Sequence, residues 1–484
     1  MISAIRSLPE FNLVLLARRY GLNPHQIAIW GIISAVLFAS LVVGLRTSIL
    51  YLALPLGVGV ALLFLRQPGL GVVLTLLGGM IIPFNGPGGV NLTILGILFL
   101  SALWLLGMIM KQGDIQFDFV QVTRPALLLL VVATLALVIG QISWYRTQAA
   151  PMSAQIGGFM VFVTSIAALL LVGHQIKETR WLAILTTVVI VYGALHMIGW
   201  IEPHAGRYIR HLYQAGATTS MFWTWVVTLA FSQALFNRRL LPGWRVALLG
   251  VVALTFYVAY IMNGDWKSGW MPALISVGVL LLLRSWRFGY LLAPFGIIPA
   301  VDLIKNAVAT DEYSYSTRLD AWSIVGEIIK ANPILGLGPA NYYWYTPLFR
   351  IRGYAVNFNS HNQYVDLIAQ TGFLGFFVYL WLMLAIGWLG WRLRHRVAEG
   401  FEKAYVYGVL AGWVATVAAG VFGDWVLPFV YNVGLLGVRS SILPWLFLGG
   451  LLVLERKYRQ TPPTPAPTTN PHMAPTTNGL SSSR

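Results

Sequence analysis

The sequence predicts an all-α polytopic membrane protein of about 12–14 transmembrane helices with one large extracytoplasmic loop containing short helices. Three observations carry that expectation. Continuous apolar runs of about twenty residues, the length that spans a bilayer as a helix, recur along the chain. Only 10% of the 484 residues are charged, against about a quarter in soluble domains, while 57% are hydrophobic and the mean hydropathy is +0.72. One connection, residues 305–370, is far longer than the rest. Because a bilayer offers the backbone no hydrogen-bond partners, a spanning segment must be a helix or part of a closed barrel. Unbroken apolar blocks, rather than short alternating strands, select helices.

Candidate spans fall at 27–45, 48–65, 69–83, 92–110, 125–142, 154–173, 180–201, 216–236, 244–262, 270–283, 288–304, 371–391, 404–422 and 435–454. The shortest, 69–83 and 270–283, are candidates for re-entrant or paired segments. Residues 1–26 are fairly polar and carry Arg6, Arg18 and Arg19, so they read as a cytoplasmic segment rather than a cleavable signal, with the first helix as its own insertion signal. Placing the N-terminus inside and alternating sides leaves most of the 32 Lys and Arg residues in cytoplasmic loops, for example Arg238, Arg239 and Arg245, or Arg392, Arg394, Arg396 and Lys403. Both termini are therefore expected in the cytoplasm. The organisation that follows is a helix bundle at 27–304, an extracytoplasmic loop at 305–370, further transmembrane helices at 371–457, and a Pro/Thr/Ser-rich disordered cytoplasmic tail at 458–484.

The formal charge of +16 does not point to nucleic acid, because the basic residues are scattered between apolar blocks and form no stripe or arm. The chain has no cysteine, which excludes disulfides and thiolate metal sites. It has no Gly-x-x-x-x-Gly-Lys-Ser/Thr loop and no His-Glu-x-x-His motif, so neither nucleotide hydrolysis nor metal-dependent chemistry is indicated, and no cofactor is expected. Acidic residues do not punctuate the spans as they do in proton- or sodium-coupled transporters.

Long structured loops on compact proteins usually carry function, which directs attention to 305–370. Thr317 is the expected cap of a short helix from Arg318 to Ala331 that places Trp322, Val325 and Ile329 on one face, as in a helix lying in the membrane interface. Asn332-Pro333 ends it, Gly336, Gly338 and Pro339 supply turns, and Tyr342, Tyr343, Trp344 and Tyr345 form an aromatic cluster expected at headgroup depth.

Four extracytoplasmic spots combine polar groups with a membrane-adjacent position. His361, in Asn359-Ser360-His361-Asn362-Gln363-Tyr364, has the side chain suited to accept a proton near neutral pH, and Asn362 could orient it or a substrate hydroxyl; the plain alternative is an interfacial histidine bonded to backbone. Arg318 can grip phosphate oxygens bidentately, or simply pair with Asp320 or lipid headgroups. Arg207 and Arg210, between the seventh and eighth spans, defy the orientation bias, as an extracytoplasmic anion would explain and as a plain surface loop also allows. Lys267, in Asn263-Gly264-Asp265-Trp266-Lys267-Ser268-Gly269, could add a point charge, or be neutralised locally by Asp265.

Taken together, Ser316-Thr317-Arg318-(x)3-Trp322, Asn332-Pro333-(x)2-Gly336-Leu337-Gly338-Pro339, His361-Asn362-Gln363-Tyr364 and Thr371-Gly372-Phe373-Leu374-Gly375 resemble the large loop and following helix of the O-antigen ligase and polymerase family. The resemblance implies a metal-independent, inverting glycosyltransferase of the bacterial inner membrane. It would move a glycan from undecaprenyl pyrophosphate to an acceptor hydroxyl on a glycan, lipid or protein. It implies His361 as base, with Arg207, Arg210, Arg318, Lys267 and Asn362 binding the pyrophosphate and glycan. A polymerase of the same family, a flippase of lipid-linked glycans and a non-catalytic envelope scaffold are the rival expectations.

Overall fold

The computed structural model describes Ser34 and residues 45–112, 117–213, 219–262, 266–287 and 312–460. These form an all-α polytopic membrane protein. Among the described residues the one extended pairing is a bridge between Ile351 and Tyr354. The predicted N-terminal segment, the span 27–45 but for Ser34 and Leu45, the span 288–304 and the tail from 461 onward lie outside them.

Eight helices among the described residues are long and apolar enough to cross a membrane. They are α3 (Leu92–Gln112), α4 (Val120–Ile139), α5 (Met152–Gln175), α6 (Thr179–Ile201), α9 (Pro242–Tyr257, continued by a π-helical turn to Met262), α13 (Gln363–Leu393), α14 (Phe401–Phe422) and α15 (Val438–Gln460). Two shorter apolar helices, α8 (Ser220–Phe236) and α10 (Lys267–Arg284), accompany them. The spans expected separately at 48–65 and 69–83 are α1 (Leu45–Arg66) and α2 (Pro68–Ile81), a pair bent by 120°. The cause is local: a residue before proline is driven out of the α region, and Gln67 sits at φ −131°, ψ 70°.

The centre of the bundle is α15, whose spanning window is 94% buried. It packs on α5, where small residues let the backbones approach: a methyl at Gly449 would lie 2.6 Å from the Leu169 carbonyl oxygen. Arg456 reaches back across this pair and donates to the carbonyls of Gly173 and Ile176 at 2.8 and 3.2 Å, satisfying the end of α5.

The long loop folds into its own small layer at one end of the bundle. Its helix α11 runs Glu312–Ile329, so Thr317 lies inside it and does not cap it. The face predicted for the membrane interface is instead turned into protein. Val325, Ile328 and Ile329 are buried with Leu337, Tyr342, Tyr345 and Phe429. The aromatic cluster becomes the short helix α12 (Asn341–Tyr345), with Tyr342 and Tyr345 fully enclosed by protein. Burial of an apolar ring against protein removes it from water as fully as lipid would, so composition does not distinguish the two outcomes. Between the sixth and eighth helices, where a loop was one reading, the chain forms α7 (Pro203–Tyr213).

The layer is stitched to α13, which starts at Gln363 rather than near 371 and breaks at Gly372, φ 69° and ψ −178°. The break frees backbone groups that the 333–338 strand of loop takes up. Leu337 and Gly338 donate to the carbonyls of Ala369 and Gln370 at 2.9 and 3.1 Å, and Phe373 and Leu374 donate to Pro333 and Ile334 at 2.8 and 3.1 Å. Unpaired backbone at membrane depth is costly, and this crossing leaves none of these four amides unpaired. Only glycine fits here: Gly336 has φ 73°, and a methyl on it would lie 2.5 Å from the Gly372 nitrogen.

Candidate functional site

His361 and Arg318 share one cleft of about 370 Å³, lined also by Thr317, Tyr343, Asn357, Tyr431 and Asn432. The cleft lies between α11, the turn before α13 and the segment connecting α14 to α15. His361 is held at φ 48°, in the left-handed region that non-glycine residues rarely occupy. Its neighbours impose this. Trp322 of α11 donates its indole N–H to the Ser360 carbonyl at 2.7 Å, and Ser360 Oγ donates to buried Asp366 at 2.7 Å while accepting from the Asn362 amide at 3.0 Å. Tyr342 donates to the same Asp366 oxygen and accepts from the Ser360 amide at 3.3 Å. Burial, then the adjacent Asp366 carboxyl, holds the Tyr342 hydroxyl protonated far above its usual range.

On the far side of the imidazole stands Asn432, whose Nδ2 lies 3.4 Å from His361 Nδ1 and 2.5 Å from Asp424 Oδ1. Asp424 is buried, and its second oxygen accepts from the Phe429 amide at 2.9 Å. Burial pushes the Asp424 carboxyl above the ordinary range, against the hydrogen bonds from Phe429 and Asn432. Gln363 fixes this segment to α13 by accepting the Leu427 amide at 2.7 Å. Withdrawal from water holds the His361 imidazole below its ordinary 6.5; Asp424 opposes the shift and Arg318 adds to it.

The alternative pairing of Arg318 with Asp320 does not form. Asp320 is taken by Arg352, Nε to Oδ2 2.9 Å, and among the described residues Arg318 has no carboxylate within ion-pair distance. A guanidinium so placed beside an imidazole, at a polar cleft, is equipped to bind an anionic oxygen next to a group that accepts a proton.

The other predicted site residues are placed differently. Asn362 caps α13: its Oδ1 accepts from Tyr364 and Val365 at 2.9 and 3.2 Å, and its Nδ2 donates to the Val421 carbonyl. Its side chain thus fixes the helix start beside His361 and does not line the cleft. Arg207 is exposed on α7, which packs on α6 and α2, and is not among the cleft residues. Arg210 lies on α7 and Lys267 opens α10, and the side chains of both fall outside what the structure describes. Sequence reading missed Asp424, Asn432, Asp366 and Tyr342. A usable signal was present for the two acids, since carboxylates beside apolar spans are costly and only 16 acidic residues occur in the chain. Among the described residues no three His, Asp or Glu side chains gather as a metal site.

Fold and cleft together define a class: a multi-pass membrane protein whose largest described loop layer carries a cationic and imidazole-lined cleft at one end of the bundle. Residues 226–380, about a third of the chain, match the family model described as O-Antigen ligase, in keeping with the resemblance seen in its motifs. The matched stretch contains Lys267, Arg318 and His361, ends before Asp424 and Asn432, and begins after Arg207 and Arg210. No curated protein matches the chain.

Proposed function

We propose that this protein is a glycosyltransferase of O-antigen ligase type, working in the bacterial inner membrane with its cleft extracytoplasmic and both termini cytoplasmic. The donor is a glycan on undecaprenyl pyrophosphate and the acceptor is a hydroxyl of a lipid-anchored sugar, a glycan chain or a protein. The observation that carries the reading is the placement of an Arg318 guanidinium, without an ion-pair partner among the described residues, on the same cleft as His361, inside the segment that matches the ligase family model.

In this reading the acceptor O–H attacks the anomeric carbon, the carbon–oxygen bond to pyrophosphate breaks, and the electron pair leaves with the pyrophosphate. His361 takes the hydroxyl proton, a role worth roughly 10²–10⁴ in rate. Arg318 holds the leaving oxygens and offsets the charge that grows there, without any metal ion. Attack opposite the leaving group inverts the anomeric centre. Arg207, Arg210 and Lys267 belong to the same proposal as further phosphate contacts. Asn362 serves it by fixing the helix start beside the base.

The base needs an open lone pair on Nε2, and therefore a proton on Nδ1. Asn432 provides for this when its amide oxygen faces the ring, since the two ends of an amide are not distinguished by position.

The test is transfer by purified protein in detergent. Lipid-linked glycan from the native organism is mixed with acceptor, and product and released undecaprenyl pyrophosphate are measured for the wild type and His361→Ala. Product from the wild type and none from a monodisperse variant is expected. Equal transfer by both would remove the base assignment, and movement of the lipid across vesicles without product would make the protein a flippase.

A further inference from the structure

A second, larger cleft lies at the opposite end of the bundle. Helix α5 begins beside the loop layer, where the Ala150 amide donates to Asn341 Oδ1 at 3.0 Å. It then runs 24 residues, about 36 Å at 1.5 Å per residue, to Gln175. There the end of α1, the start of α2, the last turns of α3 and the connection from α5 to α6 enclose about 750 Å³.

The composition of its walls changes with depth. The walls on α1 and α3 are apolar and face outward from the bundle: Leu65 is 46% exposed and Met110 85%. The rim carries Arg66, Lys177 and Arg180 against one carboxylate, Glu178. Arg180 is already engaged, 2.7 Å from Glu178 and 5.3 Å from the centre of the Trp181 ring. Arg66 and Lys177 form no ion pair among the described residues. Solvated rim cations would account for two charges, but not for their standing over an apolar trough flanked by Trp104 and Trp181, residues that favour the depth of lipid headgroups.

We propose that this cleft binds an anionic glycerophospholipid, with its phosphate at Arg66 and Lys177 and its acyl chains along Leu65, Leu103 and Met110. The apolar walls match the chains and the uncompensated rim charge matches the headgroup. The N-terminal segment of this chain is a poorer occupant, because Arg6, Arg18 and Arg19 outnumber its single acid, Glu10, and would repel the rim. The site is independent of the glycosyl-transfer reading, since it lies one helix length from His361 and uses none of its residues.

Native mass spectrometry of the full chain, released from nanodiscs of mixed phosphatidylglycerol and phosphatidylcholine, tests it. The wild type should retain phosphatidylglycerol selectively. The double variant R66Q/K177Q should retain it at least tenfold less, while the charge-conserving R66K/K177R should retain it as the wild type does and so exclude a folding defect. Equal retention by R66Q/K177Q, or equal retention of phosphatidylcholine by the wild type, overturns the proposal. Displacement of the lipid by inorganic phosphate would also overturn it, reassigning the cleft to a free anion.

Discussion

Arg352 Nε lies 2.9 Å from the Asp320 carboxylate and its Nη2 lies 2.5 Å from Ser316 Oγ, so the acid nearest in sequence to Arg318 is withdrawn from it. Arg352 occupies a left-handed turn, φ 51°, closed by the Ile351–Tyr354 bridge, which carries its side chain back over α11. Arg352→Gln should release Asp320 to neutralise Arg318. The expected result is a rise in KM for the lipid-linked donor with a folded state weakened by at most about 1 kcal/mol, because the pair is partly exposed. Steady-state kinetics and thermal unfolding read the two effects separately, and an unchanged KM would refute the coupling.

The low imidazole pKa gives a definite pH dependence. His361 acts as a base only when neutral, and its pKa is held below 6.5, so transfer should be near its maximum at pH 7 and fall only on the acid side of 6.5. Arg318 contributes to that lowering, hence Arg318→Gln should move the acid limb to higher pH in addition to slowing transfer by about a hundredfold. The pH–rate profiles of both proteins check the sign; a limb moving to lower pH contradicts it.

Asn432 is predicted to set the imidazole tautomer. Asn432→Asp would put a carboxylate against Nδ1, keep the proton there and raise the His361 pKa, so transfer should survive with its acid limb shifted upward. Asn432→Leu supplies no partner for Nδ1 and should lower kcat by tenfold or more, a rough figure for a lost orienting bond. Nitrogen NMR of labelled histidine reports the tautomer directly, and identical spectra for wild type and Asn432→Leu would exclude the role.

Asp366 is buried, and one of its oxygens has no hydrogen-bond partner among the described residues. Removing another donor should therefore be expensive: Tyr342→Phe is expected to destabilise the loop layer by about 1–3 kcal/mol. Converting both partners, in Tyr342→Phe with Asp366→Leu, should recover part of that loss, since no carboxyl is then left stranded while the Ser360 amide and hydroxyl lose these partners. Thermal unfolding of the purified variants decides, and a double variant weaker than the single one would contradict the argument.

The crossing of Gly336 and Gly372 should tolerate no side chain. Gly336→Ala places a methyl in a left-handed residue, costing about 1–2 kcal/mol before any clash, and 2.5 Å from the Gly372 nitrogen. The loop layer should then detach from α13, seen as faster tryptic cleavage at Arg350 and Arg352. Wild-type cleavage rates would mean that the crossing is dispensable.

Much of this architecture was legible in the chain. Apolar runs of bilayer length announce spanning helices whatever surrounds them, because the solvent in question is uniform and asks only for length and hydropathy. The long loop, and within it Arg318 and His361, stood out as polar chemistry in an otherwise apolar sequence. The short stretch 69–83 stood out as a candidate re-entrant or paired segment, and it forms the second arm of the pair bent at Gln67. Whether an aromatic face meets lipid or protein was not readable, since Tyr342 or Val325 is withdrawn from water in either case.

The sequence by itself determined the class of fold, the position of the loop and the imidazole and guanidinium at its heart, since each follows from local composition and motif. Tertiary structure alone decided which groups act on them. Asp424 and Asn432 reach His361 from 63 and 71 residues further along the chain, and Arg352 reaches Asp320 across 32. The physical reason is that such contacts arise where the break at Gly372 and the return of the chain between α14 and α15 bring distant segments together, and no local spacing encodes that meeting.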